Sequence, residues 1–179
     1  LDEADLSGLD AGPEALAQAQ ASAPGAQPAW FWAETGGLNL QGASLCNTNL
    51  RQARLSRANL RDANLEGTDL SGADLQGALL GDADLEGANV QGARLAAASA
   101  PSINLEGADL RGVDLTGAAL ADANLEGANL QGANLTGVAL PGANLEGAEL
   151  QGINLTGVDL QGANLEGTNL QGATLAGAK

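Results

Sequence analysis

The sequence predicts an all-β solenoid, a chain wound into short extended sides joined by corners. Three observations predict it: a five-residue repeat, a slower period of twenty residues, and an almost complete lack of aromatic side chains. From Leu40 to Leu175 every fifth residue is a centre, and 26 of the 28 centres are Leu, with Val90 and Ala100 as the exceptions. Two residues before the centre stands Ala in 19 units, directly before it Asn or Asp in 19, and two residues after it Gly in 20. The consensus is therefore Ala-(Asn/Asp)-Leu-x-Gly.

Other regular structures fail this pattern. A five-residue step on an α-helix rotates by about 140° and would scatter the leucines around the cylinder. Twenty interior glycines would oppose the helix by about 1 kcal/mol each. A long strand fails because odd spacing alternates its two sides. A three-residue extended side followed by a two-residue corner fits: Ala and Leu, two apart, face inward, Asn or Asp faces outward, and Gly at the corner permits positive φ.

The slower period sets the number of sides. Glu follows the centre at Glu66, Glu86, Glu106, Glu126, Glu146 and Glu166, a constant spacing of twenty; Thr116, Thr136 and Thr156 repeat in the same way, as do Gln131, Gln151 and Gln171. Twenty residues over a five-residue unit gives four sides per coil, with residues twenty apart stacked at about 4.8 Å. Down the middle runs a ladder of leucines, of which Leu65, Leu85, Leu105, Leu125, Leu145 and Leu165 form one column. The only aromatic residues are Trp30, Phe31 and Trp32, so the 147 residues that follow fold without a ring. A narrow square interior has room for Leu and Ala and none for a ring.

These features resemble the pentapeptide-repeat family, whose fold is a right-handed quadrilateral β-helix. The resemblance covers residues 38–179, with motifs such as Ala123-Asn124-Leu125-Glu126-Gly127 and Ala143-Asn144-Leu145-Glu146-Gly147. It implies about seven coils and a parallel β-helix roughly 34 Å long.

Residues 1–37 are of a different kind. Ala4-Asp5-Leu6-Ser7-Gly8 is a repeat-like fragment one residue out of frame with Leu40. Gly12 to Ala21 reads as a short helix, with Pro in the first turn and strong helix formers after it. Ser22 to Pro28 is a loop, and Trp30, Phe31 and Trp32 then enter just before the first good repeat. The expectation is an N-terminal cap over the bare first coil. The chain begins with Leu and stops in mid-pattern at Lys179, which suggests a segment of a larger chain or an end closed by end-to-end dimerisation.

Within the repeats, Ala98-Ser99-Ala100-Pro101-Ser102 loses both its central Leu and its Gly. Pro101 has no amide hydrogen, so this side is expected to be unpaired or bulged. Pro141 stands on the same face two coils later.

Composition restricts function. With 22 Asp and Glu against 7 Lys and Arg the net charge is −15, which opposes direct binding to nucleic acid or to an anionic membrane. There is no His, and so no His-based acid–base chemistry and no His metal ligand. The single Cys46 forms no internal disulfide and is expected to be a partly exposed thiol. No signal peptide or 18-residue apolar run occurs in this chain, which leaves the compartment open. No nucleophile–base pair, phosphate loop or metal set can be assembled, so neither an enzyme nor a cofactor is expected.

The six-Glu ladder is the sharpest surface feature. Carboxylates about 4.8 Å apart repel by roughly 0.9 kcal/mol per neighbouring pair at the dielectric of water, and less with salt. Two readings stay open, a solvated acidic face and a surface for a basic protein partner; one Glu per coil does not supply the converging oxygens that calcium needs. Arg51, Arg54, Arg57 and Arg61 cluster on the first coils, where local ion pairs are expected. The favoured function is a non-catalytic scaffold that presents an acidic repeat surface to a protein partner. The alternative comes from the resemblance: some pentapeptide-repeat proteins mimic duplex DNA and bind DNA gyrase, as inhibitors or protectors. Residues 38–179 carry 16 acids and 7 bases, a net of −9, about half the charge of B-DNA over the same length. Two features of gyrase-binding members, a C-terminal helical dimerisation element and a projecting loop, are not visible here.

Overall fold

The computed structural model describes residues 37–179. The out-of-frame fragment, the expected helix and the expected cap at Trp30, Phe31 and Trp32 lie outside the described residues. Within them the backbone is a parallel β-solenoid. Bridges join each outward residue to the one twenty positions on, from Asn39–Asn59 to Asn154–Thr174, except between Asn134 and Asn154. A side of three residues leaves space for one bridge residue, so the sheets consist of isolated parallel bridges, one per unit. We number the faces 1 to 4 by their first centres, Leu40, Leu45, Leu50 and Leu55.

The reason for the consensus appears when the backbone donors of one unit are followed. In Ala123–Gly127 the Leu125 N–H donates to the Asn144 carbonyl of the next coil at 2.7 Å, and Gly127 N–H to the Glu146 carbonyl at 2.8 Å. Asn124 N–H donates back to the Ile103 carbonyl of the previous coil at 2.9 Å, and Ala123 N–H closes the preceding corner on the Leu120 carbonyl at 3.2 Å. The fifth donor, Glu126 N–H, goes to the side chain of Asn124 at 3.2 Å from Oδ1. All five backbone N–H groups are thus satisfied, as buried or sheet-forming amides require. Asn and Asp recur before the centre because a short side-chain carbonyl reaches the amide two residues on.

Every second corner residue from Gly42 to Gly177 has positive φ, Gly at 20 of them and a different residue at Asn47, Gln52, Arg57, Asp62, Asp82, Ala97, Ser102 and Asp122. Positive φ at that position, with the carbonyl of the centre accepting from the residue three on, is the type II turn. Gly142 shows a second constraint: besides its φ of +71°, a Cβ there would collide with the Asp122 carboxylate one coil below.

The side containing Pro101 is not bulged, contrary to expectation. The bridges Leu79–Ser99 and Ser99–Ala119 keep the twenty-residue register through it, and Pro101 accepts from Asp82 N–H at 3.0 Å. The physical reason is that the N–H of the first corner residue never joins the ladder between coils; it serves only the side chain two residues before. Two residues before Pro101 stands Ser99 and two before Pro141 stands Ala139, both without the Asn or Asp acceptor, so the missing donor costs no pairing. Proline at this position also suits the turn, which favours it there. Only the closing bond of this corner, from Ile103 N–H to the Ala100 carbonyl, is absent.

The core is a single stack of inward Leu and Ala. Ala100 is as buried as the leucines whose place it takes. The two fully buried hydroxyl positions on the inner wall are Thr48 and Thr68, and Thr68 donates to the Leu45 carbonyl at 2.7 Å. Burial fades on the last coil, where Leu165 and Leu170 are half-buried and Leu175 is 47% exposed.

Candidate interaction faces

Face 2 carries the Glu ladder, and its order comes from the Asn column beside it. Asn104 Nδ2 donates to Asp84 Oδ1 at 2.9 Å, Asn124 to Asn104 at 3.1 Å, Asn144 to Asn124 at 3.3 Å and Asn164 to Asn144 at 3.1 Å. The same amides reach the carboxylates of the coil below: Glu106, Glu126 and Glu146 each accept from the next Asn at 3.2 Å. The amides of Asn124, Asn144 and Asn164 therefore each span two coils and hold one Glu. Glu66, Glu86, Glu106, Glu126, Glu146 and Glu166 are all exposed. The repulsion between stacked carboxylates is offset by these charge-assisted bonds.

The Leu column behind this face is buried at Leu65, Leu85, Leu105, Leu125 and Leu145, and half-buried at Leu165. Cys46, at the head of the Glu column, is partly exposed, and its thiol donates to Asn64 Oδ1 at 2.9 Å. The Asn column and its bonds to Glu are the part that sequence reasoning missed. The signal was present in the constant two-residue offset from Asn to Glu.

Arg51, Arg94 and Arg111 make local ion pairs. Arg51 lies 3.7 Å from Asp69 and Arg94 lies 3.8 Å from Asp74, both joining stacked coils. On face 3 the Arg111 Nε donates to Asp109 Oδ1 at 2.8 Å. That side-chain bond holds the Asp109 carboxyl below its ordinary value against the opposing effect of burial, with the Arg111 backbone N–H and charge adding to it. Asp114 on face 4 is also lowered, chiefly by the Thr116 hydroxyl and then by the Thr116 backbone N–H. Among the described residues no group of three or more His, Cys, Asp or Glu could hold a metal ion. No helix among them is long and apolar enough to cross a membrane.

A family model described as pentapeptide repeats, in eight copies, matches residues 39–77, 78–117, 118–157 and 140–177. The chain belongs to the pentapeptide repeat family. Its solenoid is the right-handed β-helix of that family. Among solved structures it is similar to HetL, a pentapeptide repeat protein involved in heterocyst differentiation regulation from the cyanobacterium Nostoc sp. strain PCC 7120. The identity is 28% and the TM-score 0.62, over 100% of this chain and 84% of HetL. A trypsin-treated form of QnrB1, a plasmid-mediated fluoroquinolone resistance protein, is 24% identical with a TM-score of 0.54, over 76% of each chain. That second likeness is one of fold. No curated protein sequence matches the chain.

Proposed function

We propose that this pentapeptide repeat protein is a non-catalytic scaffold whose face 2 docks a basic protein partner. In this reading residues 38–179 form a rod of about seven coils, roughly 34 Å long, and residues 1–37 cap its first coil through Trp30, Phe31 and Trp32. The observation that carries it is the Asn-braced Glu ladder. Glu106, Glu126 and Glu146, each held by a neighbouring amide, lose little further freedom when a partner binds, which lowers the entropic cost of association. Evenly stacked negative charge also steers a basic surface onto the rod.

The test is a pull-down with the full chain at rising salt, repeated with Glu86, Glu106, Glu126 and Glu146 each changed to Gln. Capture of a basic protein that weakens with salt and disappears in the Gln variant supports the reading. Capture that is indifferent to the ladder removes face 2 from the function.

A second reading, mimicry of duplex DNA toward DNA gyrase, draws support from the net charge of −9 over residues 38–179. That is about half the charge of B-DNA over the same length. A gyrase supercoiling assay decides it, and no effect at micromolar protein would eliminate it.

A further inference from the structure

The ladder between coils is regular except in one place. Five bonds that every other pair of stacked units makes among the described residues are missing together, and all lie on or beside face 4. The N–H groups of Gly132, Leu135 and Gly137 do not reach the next coil, and those of Asn154 and Asp159 do not reach the previous one. The bridge expected between Asn134 and Asn154 is absent as well, although Asp114–Asn134 and Asn154–Thr174 form on either side of it. Side chains report the same gap: Asn134 and Asn154 are exposed where the corresponding Asp114 is half-buried, and Ala133 is less buried than the Ala93 of the same column. The amide of Asn134 reaches back to Asp114 at 3.3 Å, but Asn154 makes only the bond within its own corner, to Thr156 N–H at 3.0 Å.

The inner wall is more heavily filled at the same joint. Most units place Ala two residues before the centre, but here Val138, Ile153 and Val158 crowd the two coils that face each other, and all three are buried. Their centres, Leu135, Leu140, Leu155 and Leu160, are full-sized. Extra methyl groups in a packed interior push the backbone apart; Val138 and Val158 stack on face 1, where Leu140 N–H and Gly142 N–H still reach the next coil, and the separation falls on the adjoining side, at Ile153. Ile103 is equally large and causes no gap on face 2, because the centre just before it is Ala100. The bonds on faces 2 and 3 between these same coils persist: Leu125 N–H to the Asn144 carbonyl at 2.7 Å and Leu130 N–H to the Glu149 carbonyl at 3.0 Å.

We propose that this joint is a hinge, opened on face 4 by Val138, Ile153 and Val158 and pivoting on the intact opposite face 2. Motion about it changes the curvature of the Glu ladder between Glu126 and Glu146. The hinge stands on backbone bonding and core volume alone, and so holds whether or not that ladder binds a partner.

Hydrogen exchange on the full chain, read amide by amide, tests it. The amides of Gly132, Leu135, Gly137, Asn154 and Asp159 are expected to exchange at least about tenfold faster than Gly112, Leu115, Gly117, Asn134 and Ala139 one coil earlier. In the triple variant Val138→Ala, Ile153→Ala and Val158→Ala that difference is expected to vanish. If the two sets exchange alike in the native chain, there is no hinge. Fast exchange that survives the triple variant overturns the proposal too, since crowding would not be its cause. Should the triple variant fold poorly, Ile153→Ala alone is expected to slow Asn154 and Leu135, and no slowing counts against the hinge.

Discussion

Faces 2 and 4 lie on opposite sides of the same coils, share one backbone geometry, and differ in continuity. Face 2 has an unbroken column of backbone bonds, with side-chain amides bridging from Asp84 to Asn164. Face 4 loses its bonds between Leu135 and Asn154. Each face contains one Ile on its inner wall, Ile103 and Ile153, so residue type alone does not separate them. What separates them is the sum around the coil: Ala100 gives back the volume that Ile103 takes, and nothing does so for Ile153. Val113, also on face 4 and set between the full-sized Leu110 and Leu115, leaves its ladder bonds intact, so one larger side chain is not enough to open the ladder; the joint carries three.

The largest expected effect comes from emptying a layer. Leu125→Ala on face 2 should cost about 2–5 kcal/mol, measured by urea unfolding of the whole chain, and Leu115→Ala on face 4 should cost about the same. The comparison breaks if one face tolerates the truncation. Overfilling comes next. Ala100→Leu restores the consensus centre yet should destabilise by about 1–3 kcal/mol, because Ile103 already occupies that space, and Ile103→Ala in the same chain should recover the loss. If Ala100→Leu stabilises, volume compensation is wrong.

Gly142→Ala probes the corner. Positive φ and the collision with Asp122 together should cost on the order of 1–3 kcal/mol, and Asp122→Gly should relieve only the part due to the collision. A smaller difference is expected among the outward residues. Asn124→Ala removes bonds with Glu126 N–H, Asn104, Glu106 and Asn144 and should cost about 1 kcal/mol. Asn154→Ala, with its single corner bond, should cost less, so equal losses would erase the contrast between the two faces.

The smallest effect is electrostatic. Asp109 is held below its ordinary value in the folded chain, so its contribution is fully present above the unfolded carboxyl pKa of about 3.9 and is lost as pH falls through the folded value. Arg111→Gln should therefore leave stability against acid slightly lower at neutral pH and flatten its decline below pH 4. Arg111 is exposed and Asp109 half-buried at the surface, which keeps the change within the small range of surface pairs.

Much of this was legible in the repeat. The spacing of Leu and Gly gives the sides and corners, and the recurrence of Glu every twenty residues gives the register seen in the bridges. The outward Asn was legible as a position but not as a function, because its bond to the corner amide belongs to turn geometry rather than to periodicity. The same omission made Pro101 look disruptive. A prediction of pairing needs to know which amide is in the ladder, and the spacing alone does not say. The gap on face 4 was hidden for another reason: Val138, Ile153 and Val158 each pass as acceptable variants of Ala, and only their addition within adjoining layers is excessive. Of the candidate sites, the column of Glu could be read directly, and the amides that brace it could not.

The closed donor count within each five-residue unit makes the chain behave like an indexed wheel. Removing twenty residues between two corners would return every later side chain to its own column, with Glu126 standing over Glu86. Removing five would leave each unit intact but turn everything beyond it by a quarter, and Glu126 would then stand over Pro101. Length changes of this kind can redistribute charge among the faces without altering a single unit, so surface pattern in such a rod is a matter of counting as much as of residue identity.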